Sequence, residues 1–344
     1  MKNGLPVALV TGASGFVGRH LTGALARSGW IVRRAVRTSS GSDDEVVIES
    51  IGPTTDWQHA LAGVDAVVHL AARVHHRHEE HAVELYRNVN VEGTLQLARC
   101  AAALGGREFI FVSTVLVHGR SNNGGVPFCE SDVLTPRGLY GMSKAAAEAR
   151  LKTLAQDSDM NITAVRPPLV YGYGAKGNFR MLVRAIRSGF PLPFAGIHNR
   201  RAFLAVENLT SFIQYRLSHP AGKFEIFLVA DTEQVSTPEF IRRLAGAANT
   251  SPLLFSMPPR LLSMLLQVSG RREIRESLLG SLELDLSKAA STGWQPPVSL
   301  DEGLRLALRE PIPGNENVVI TAASDPPLRA GTYRSEERRV GKEC

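Results

Sequence analysis

The chain has 344 residues, 44% of them hydrophobic, and 39 lysines and arginines stand against 33 acidic residues, a formal net charge of +6. This length can bury a large core, so we expect one α/β domain with an appended lobe. Basic charge favours anionic ligands. The sequence has no basic stripe interleaved with aromatic residues, so we do not expect a nucleic-acid ligand. The three cysteines form no disulfide framework, and neither a signal peptide nor an apolar run of membrane-spanning length occurs, so we expect a cytoplasmic protein without a membrane span.

The first motif is an apolar run at residues 7–11 that leads into three spaced glycines. It predicts a strand, a tight turn and a helix. Gly12 permits the turn, Gly15 lets the backbone approach a pyrophosphate, and Gly18 lets the helix pack closely on the strand. Because the N-terminus of such a helix binds phosphate, this motif predicts a dinucleotide site. The residues assigned to it are Gly12, Ser14, Gly15, Phe16, Val17 and Gly18.

The second predicted strand, residues 30–36, carries basic side chains. Arg37 follows it, where a carboxylate would bind the ribose hydroxyls of NAD, and Arg33 and Arg34 add positive charge. A guanidinium near this point accommodates the 2′-phosphate of NADP. We therefore favour NADP(H) as the cofactor, with NAD(H) as the alternative. The other interpretation is that alternate arginines on a strand merely face water.

Residues 46–51 and 65–72 predict the third and fourth strands, which are short and rich in Val and Ile, as buried parallel strands are. Small residues end the fourth strand, where the cofactor crevice of a doubly wound sheet lies. A histidine-rich stretch follows, but no cysteine or paired carboxylate completes a metal-binding set, so we expect a polar loop and no metal site. Its histidines are His75, His76, His78 and His81.

Residues 84–104 predict a helix, residues 109–114 predict a fifth strand that ends in two hydroxyls, and a new helix begins at Tyr140. Tyr140 and Lys144 are four residues apart and stand on one face of that helix. An ammonium beside a phenol favours the phenolate and lowers its pKa from about 10. Tyr140 can then move a proton to or from an alcohol while the cofactor moves a hydride. Thr114 can hydrogen-bond the same substrate oxygen.

Together these motifs resemble the extended branch of the short-chain dehydrogenase/reductase superfamily, whose members are nucleotide-sugar epimerases, dehydratases and reductases. The resemblance runs from about residue 6 to residue 308. It is carried by residues 11–18, 69–72, Asn90, 113–114, Tyr140 with Lys144, 166–172, 201–203 and 293–296. It implies an α/β fold with a Rossmann-type doubly wound parallel sheet and a smaller C-terminal α/β lobe that holds a nucleoside-diphosphate sugar.

The implied boundaries are residues 1–170 for the NAD(P)-binding domain and 171–311 for the substrate lobe, with parts of 201–230 returning to the Rossmann sheet. Residues 252–279 are rich in leucine, and we expect them to pack against the lobe rather than contact a membrane. We expect residues 312–344 to form a disordered or artefactual tail, because residues 334–344 look like the translation of a sequencing adapter.

The resemblance also implies site residues. It makes Thr114, Tyr140 and Lys144 catalytic, and Tyr140 and Lys144 also bind the cofactor. Further implied cofactor-binding residues are Arg37, Leu70, Ala71, Ala72, Asn90, Ser113 and Pro167. Asn178 and Arg201 take positions that contact the diphosphate or nucleotide in family members; otherwise they are a helix-start cap and a surface arginine. Family members often pair through the helix that bears Tyr140 and the one before it, so we expect a homodimer.

Departures from the family pattern narrow the reaction. The 4,6-dehydratases follow the strand-end threonine with Asp-Glu, whereas Val115 and Leu116 stand here and cannot transfer protons, which argues against dehydration. Many family members have a Gly-Asp pair that touches adenine where this chain has Glu-Ser at residues 49–50. His118 stands where family members usually have a tyrosine. Arg37 in place of an acid favours a reductase, which consumes NADPH at each turnover, over an epimerase, which benefits from a retained NAD.

We therefore expect an enzyme that reduces a UDP-4-keto-6-deoxy-N-acetylhexosamine at C4, as in O-antigen and other surface-polysaccharide pathways. The alternative is a 4-epimerase of UDP-glucose or UDP-N-acetylglucosamine. A more distant alternative is a non-catalytic nucleotide-binding protein that kept the fold.

Overall fold

A parallel β-sheet is the centre of the molecule. A computed structural model describes residues 4–74, 83–122, 125–220, 222–258, 261–262, 264, 276 and 279–309. The strands are β1 (Val7–Thr11), β2 (Ile31–Val36), β3 (Glu45–Val47), β4 (Ala66–His69), β5 (Glu108–Val112), β6 (Asn161–Arg166), β7 (Leu169–Tyr171), β8 (Phe203–Ala205) and β9 (Phe224–Leu228). Seven of them form one sheet in the order β3-β2-β1-β4-β5-β6-β9, and all its pairings are parallel. This order confirms the Rossmann-type doubly wound fold.

The strand order reverses between β1 and β4, which lie side by side with Thr11 opposite His69. In an open parallel sheet, ligands bind outside the carboxyl ends of the strands at this point. The glycine turn after β1 and the small residues after β4 therefore flank one crevice.

Helices cover both faces of the sheet. They are α1 (Phe16–Arg27), α2 (Gln58–Leu61), α3 (Val83–Tyr86), α4 (Thr94–Ala103), α5 (Gly138–Gln156), α6 (Asn178–Arg187), α7 (Val206–Ser218), α8 (Thr237–Ala247), α9 (Ser287–Ser291) and α10 (Leu300–Leu308). Because side chains alternate along a strand, Leu9 packs with the cluster of α4 and α5, whereas Val10 packs with Leu21 of α1 and Phe212 of α7.

Two elements differ from the sequence-based expectation. β3 ends at Val47 rather than at residue 51. The neighbouring strand β2 ends at Val36, whose carbonyl accepts from the Ile48 amide, so β2 offers no strand partner to later residues. The helix expected over residues 84–104 is divided by a π-helical segment, Arg87–Gly93. Such widened turns occur frequently at functional sites.

β7 and β8 form a second, two-stranded sheet, and we call the elements that pack on it the smaller lobe. Its core joins Phe179 of α6, Phe240 of α8 and Leu304 of α10. Within residues 201–230, β9 joins the large sheet beside β6 and α7 packs against it, whereas β8 pairs with β7.

Within the described residues, no helix combines the length and apolar character that a membrane span requires. Cys100 and Cys129 are free thiols. No described group of three His, Cys, Asp or Glu side chains is arranged to hold a metal. The histidines at 75, 76, 78 and 81, Cys344, the tail at 312–344 and much of the leucine-rich stretch lie outside the described residues.

Candidate active site

The glycine turn after β1 is built as its spacing predicts. Gly12 has a φ of +69°, and a Cβ there would lie 2.9 Å from the Ala71 amide nitrogen. A Cβ at Gly18 would lie 2.2 Å from the Gly12 carbonyl oxygen, so only glycine allows this close packing of helix on strand. The Gly15 amide bonds the Gly12 carbonyl at 2.9 Å and closes the turn.

Gly15 is also the N-cap of α1, and no described side chain caps this helix end. The first N–H groups of a helix lack partners within the helix, and its dipole favours negative charge there. The glycine turn therefore fits the pyrophosphate of a nicotinamide dinucleotide. Gly15 has no side chain to block the approach, and the first turn of α1, with Phe16, Val17 and Gly18, offers backbone N–H groups. Ser14 lies exposed between the glycines, and Leu70, Ala71 and Ala72 line the opposite side of the crevice, half-buried.

A chain of buried neutral groups links the turn to β4. The Ala71 amide donates to Thr11 Oγ1 at 3.3 Å, and Thr11 Oγ1 lies 2.7 Å from His69 Nδ1. On the other side, His69 Nε2 lies 2.9 Å from Thr94 Oγ1, which donates to the Asn90 carbonyl. These partners place the proton of His69 on Nε2. Burial lowers the pKa of His69 to about 3, so the ring is neutral at physiological pH.

Asn90 continues this chain to α5. Its Oδ1 accepts from the Arg73 amide at 2.7 Å, and its Nδ2 donates to the Arg73 carbonyl and to Ser143 Oγ. Ser143 Oγ in turn donates to the Tyr140 carbonyl at 2.9 Å. The Asn90 side chain thus braces the crevice wall against α5. We call Thr11, His69, Thr94, Asn90 and Ser143 the neutral network.

The three predicted catalytic residues converge at the start of α5. Lys144 Nζ donates to the Val112 carbonyl at 2.8 Å, two residues before Thr114. The beginning of α5 packs on the turn after Thr114, since a Cβ at Gly141 would lie 3.0 Å from the Leu116 carbonyl oxygen. Thr114 is extended, and its hydroxyl accepts from the Leu116 amide at 3.3 Å. The Val115 amide bonds the carbonyl of Pro167, which is buried behind this turn.

The expected lowering of the Tyr140 pKa is wrong for this arrangement. Lys144 Nζ lies 6.0 Å from the centre of the Tyr140 ring and 4.3 Å from that of Phe111. Burial raises the pKa of Tyr140 to about 12 and lowers that of Lys144 to about 7. Desolvation is the main cause of both shifts, and the nearby Tyr86 raises the pKa of Tyr140 further. Both shifts favour the uncharged side chain, so Lys144 does not lower the pKa of Tyr140 in this arrangement.

A second buried network contains charge. Ser113 Oγ donates to the Glu148 carboxylate, one helical turn beyond Lys144. Arg166, at the end of β6, bonds both Glu148 oxygens, with Nη2 at 2.5 Å from Oε2. Its Nη1 lies 2.8 Å from His118 Nε2. We call Ser113, Glu148, Arg166 and His118 the ionic network.

This network was not predicted from the sequence, although Glu148 lies four residues after Lys144 on the same helix face. The ionic network also shows what His118 does. Arg166 donates to Nε2, so the neutral ring carries its proton on Nδ1, which is buried and has no described partner. Burial, and then the charge of Arg166, lower the pKa of His118 to about 4.

The arginines in β2 and directly after it divide into two groups. Arg33 donates to the carbonyls of Ala60 and Ala62, and Arg34 forms ion pairs with Asp44 and Glu45. Both are occupied by the protein itself, which corrects the expectation that they offer charge to a cofactor. Arg37 is exposed, and no hydrogen bond or ion pair joins it to another described residue.

The two predicted substrate contacts lie in the smaller lobe. Asn178 is exposed and is the first residue of α6; Gly177 is the N-cap, so the alternative of a side-chain cap at Asn178 does not hold. Arg201 is buried rather than on the surface, and its Nη1 donates to the Gly280 carbonyl at 2.5 Å. Burial lowers the pKa of Arg201 to about 10.

Known proteins are similar to this chain in sequence and in fold. Residues 8–230 match the NAD dependent epimerase/dehydratase family. The chain is 38% identical to a UDP-glucose 4-epimerase from Vibrio cholerae, over 86% of this chain and 93% of that protein. It is 28% identical to an N-acetyl-alpha-D-glucosaminyl-diphospho-ditrans,octacis-undecaprenol 4-epimerase from Escherichia coli O157:H7, over 88% and 94% of the two chains.

Among solved structures, RMD from Pseudomonas aeruginosa complexed with NADPH superposes with a TM-score of 0.66 at 23% identity, covering 88% of this chain and 98% of that one. The family match covers most of the sheet and both halves of the crevice. The protein therefore belongs to the NAD dependent epimerase/dehydratase family, within the extended short-chain dehydrogenase/reductases, and is a nucleotide-sugar oxidoreductase of the epimerase and reductase type.

Proposed function

We propose that the protein is an NADPH-dependent reductase of a UDP-4-keto-6-deoxy-N-acetylhexosamine in surface-polysaccharide biosynthesis. The observation that carries this proposal is Arg37, which is exposed directly after β2 and is joined to no other described residue by a hydrogen bond or ion pair. A guanidinium there accommodates the 2′-phosphate of NADP, and a reductase consumes NADPH at each turnover, whereas an epimerase benefits from a retained NAD.

Each residue has a separate part in the proposed reaction. The turn at Gly12, Gly15 and Gly18 would hold the nicotinamide cofactor, which would supply the hydride for C4. Tyr140 donates its phenolic proton to the C4 oxygen, which completes the alcohol, and the Thr114 hydroxyl orients that oxygen. Lys144 ties α5 to the end of β5 through the Val112 carbonyl and, with Gly12, Ser14 and the other assigned residues, contributes to the cofactor site. Asn178 and Arg201 hold the diphosphate of the substrate.

The side chains after Thr114 support reduction without elimination. Val115 is buried and Leu116 half-buried in a 3₁₀ turn, Val115–Val117. Neither side chain can donate or accept a proton, so a water molecule could not be eliminated with their help. We also propose a homodimer built on α4 and α5 and a cytoplasmic location; both rest on the family resemblance and on the cysteine pattern.

A 4-epimerase acting on UDP-glucose or UDP-N-acetylglucosamine is the second candidate. It is favoured by the 38% identity with the Vibrio cholerae UDP-glucose 4-epimerase over nearly the whole of both chains. Such an enzyme would retain its cofactor and would turn over without added NADPH.

Absorbance of the nicotinamide band distinguishes the two candidates. Purified protein is mixed with a UDP-4-keto-6-deoxy-N-acetylhexosamine and either NADPH or NADH. We expect stoichiometric consumption of NADPH and a product reduced at C4. Interconversion of UDP-hexoses by the protein as purified, with no consumption of either cofactor, would establish the epimerase instead.

Replacing Tyr140 tests the assigned proton donor. Tyr140→Phe should lower kcat by about 10²-fold to 10⁴-fold while NADPH still binds, because general acid catalysis contributes that much. Tyr173→Phe makes the same chemical change at an exposed position and should leave kcat unchanged. Near-normal activity of Tyr140→Phe would remove this residue from the mechanism.

Arg37 tests the cofactor preference. Its guanidinium is exposed at the end of β2 and is not engaged by other described residues, so we propose that it binds the 2′-phosphate. Arg37→Asp should raise KM for NADPH about tenfold or more and change KM for NADH little. Arg305→Asp, with the same charge change at an exposed position of α10, is the control. Equal effects of Arg37→Asp on both cofactors would contradict the assignment.

A further inference from the structure

One surface of the smaller lobe combines basic and apolar side chains. It is formed by residues 176–190, which contain α6, and by residues 253–264 as far as they are described; we call it the basic-apolar face. Backbone hydrogen bonds hold its two segments together. The Leu192 amide donates to the Leu253 carbonyl at 2.8 Å, and the Phe255 amide donates to the Leu192 carbonyl at 3.1 Å.

The charge of this face is all of one sign. No Asp or Glu occurs in residues 160–206 or in residues 240–272. Lys176, Arg180, Arg184 and Arg187 are exposed, and the three arginines recur at the spacing that places them on one side of α6. None of these four side chains forms an ion pair with a described residue. Some arginines elsewhere on the surface do, as Arg34 does with Asp44 and Arg243 does with Glu233.

Large apolar side chains of the same two segments are also exposed. They are Met181, Phe190, Leu253, Phe255, Leu261 and Met264, each between 44% and 62% exposed. The exposure of Leu253 and Phe255 follows from the path of the chain. Leu254, between them, pairs with Leu192 and packs in the core of the lobe, so its two neighbours point outward. A cluster of exposed apolar groups within a polar rim is characteristic of an interaction surface.

The combination selects one kind of partner. A small anionic ligand would engage the arginines but would leave the phenylalanine and leucine side chains in water. A second copy related by a two-fold axis would bring the same four cations against each other. The headgroup region of an anionic bilayer satisfies both features, since phosphates accept from arginine while apolar side chains enter the acyl boundary.

We propose that the basic-apolar face docks on an anionic phospholipid surface, with α6 lying along it. It goes beyond the expectation that the leucine-rich stretch packs against the lobe, which Leu254 does. It does not depend on whether the enzyme reduces or epimerises its sugar. Because α6 begins at Asn178, docking would bring the proposed substrate site close to the membrane surface.

Vesicle flotation of the full chain tests the proposal. The probes are vesicles of phosphatidylcholine alone and of phosphatidylcholine with roughly one third phosphatidylglycerol, at low and high salt. We expect binding to the anionic vesicles that weakens as salt rises, and little binding to the neutral ones. Equal binding to both, or binding to neither, would overturn the proposal.

Variants locate the binding on this face. Arg184→Glu/Arg187→Glu should weaken binding to anionic vesicles at least about 30-fold, since each arginine near such a surface adds about fivefold to the affinity. Phe190→Ser should weaken it at low and high salt alike. Arg27→Glu at the end of α1 is the charge control and should bind like the unaltered protein.

Activity on the UDP-linked substrate serves as a separate readout. The face variants should keep it, which shows that they fold and that the proposed function stands independently of docking. If Arg184→Glu/Arg187→Glu binds vesicles normally, or if Phe190→Ser instead abolishes a dimer of a protein that ignores vesicles, a different occupant covers this face and the proposal fails.

Discussion

The neutral and ionic networks both brace α5 and both lie in the core, but they differ in what they bury. The neutral network passes hydrogen bonds between hydroxyls, an amide and an uncharged imidazole, and nearly all of these groups have partners. The ionic network buries a carboxylate and a guanidinium, each at most 3% exposed, together with an orphan imidazole nitrogen. Removing one partner of a buried ion pair leaves an unpaired charge in the core, whereas removing one partner of a neutral hydrogen bond leaves only an unpaired polar group. The two networks should therefore respond very differently to single substitutions.

The largest effect is expected from Arg166→Met. The substitution fills similar volume but leaves Glu148 buried without its cation, so the free energy of unfolding should fall by about 3–5 kcal/mol. Urea denaturation measures this loss. The double variant Arg166→Met/Glu148→Leu should recover much of it, because the stranded charge is gone. A single variant within 1 kcal/mol of the unaltered protein would show that the pair is not a buried ion pair.

A smaller loss is expected from His69→Phe in the neutral network. The ring volume is kept, but Thr11 Oγ1 and Thr94 Oγ1 each lose a partner in the core. We expect a loss of about 1–3 kcal/mol in the same denaturation experiment. Because Thr11 also receives the Ala71 amide, KM for the cofactor should rise more than kcat falls. A larger loss than that of Arg166→Met would reverse the comparison.

Acid should destabilise the protein through its buried imidazoles. In the folded state the pKa of His118 is lowered to about 4 and that of His69 to about 3, both chiefly by burial. Between these values and the ordinary value near 6.5, the unfolded chain binds more protons than the folded one. The stability these two histidines confer is therefore fully present above about pH 6.5 and is lost as pH falls, by up to about 1.4 kcal/mol per pH unit for each histidine.

His118→Gln isolates one of these contributions, since glutamine can still accept from Arg166 but does not titrate. The stability of this variant, measured by urea denaturation from pH 7 to pH 4.5, should decline less steeply than that of the unaltered protein. His59→Gln, at an exposed position of α2, is the control and should leave the slope unchanged. An unchanged slope in His118→Gln would mean that His118 is protonated in the core.

The smallest effect is expected from Ser143→Ala, which disconnects Asn90 from the Tyr140 carbonyl. The loss in stability should be about 1 kcal/mol, the usual contribution of a neutral hydrogen bond. Ser158→Ala removes a comparable hydroxyl bond to the Leu154 carbonyl at the far end of α5 and serves as the control. Only Ser143→Ala should also lower kcat, because only Ser143 contacts the turn that carries Tyr140. Equal kcat in both variants would show that the network does not position the phenol.

Much of this fold was predictable because the signals are local. The glycine spacing after β1, the short apolar strands and the i, i+4 spacing of Tyr140 and Lys144 each follow from geometry within one or two turns of chain. These features hold whatever the rest of the chain does. The same reasoning identified Arg37 by its place directly after β2, although the state of a surface arginine depends on neighbours that no local pattern reveals.

The sequence by itself thus determined the doubly wound sheet, the cradle at Gly12, Gly15 and Gly18, and the set of side chains available for chemistry. Only the tertiary structure decided their states. Burial raises the pKa of Tyr140 where the neighbouring lysine was expected to lower it, and carbonyls and carboxylates of other segments occupy Arg33 and Arg34. Folding also joins Glu148 to Arg166 from separate elements. Protonation and pairing depend on solvent exclusion and on partners far apart in sequence, and both exist only once the chain has folded.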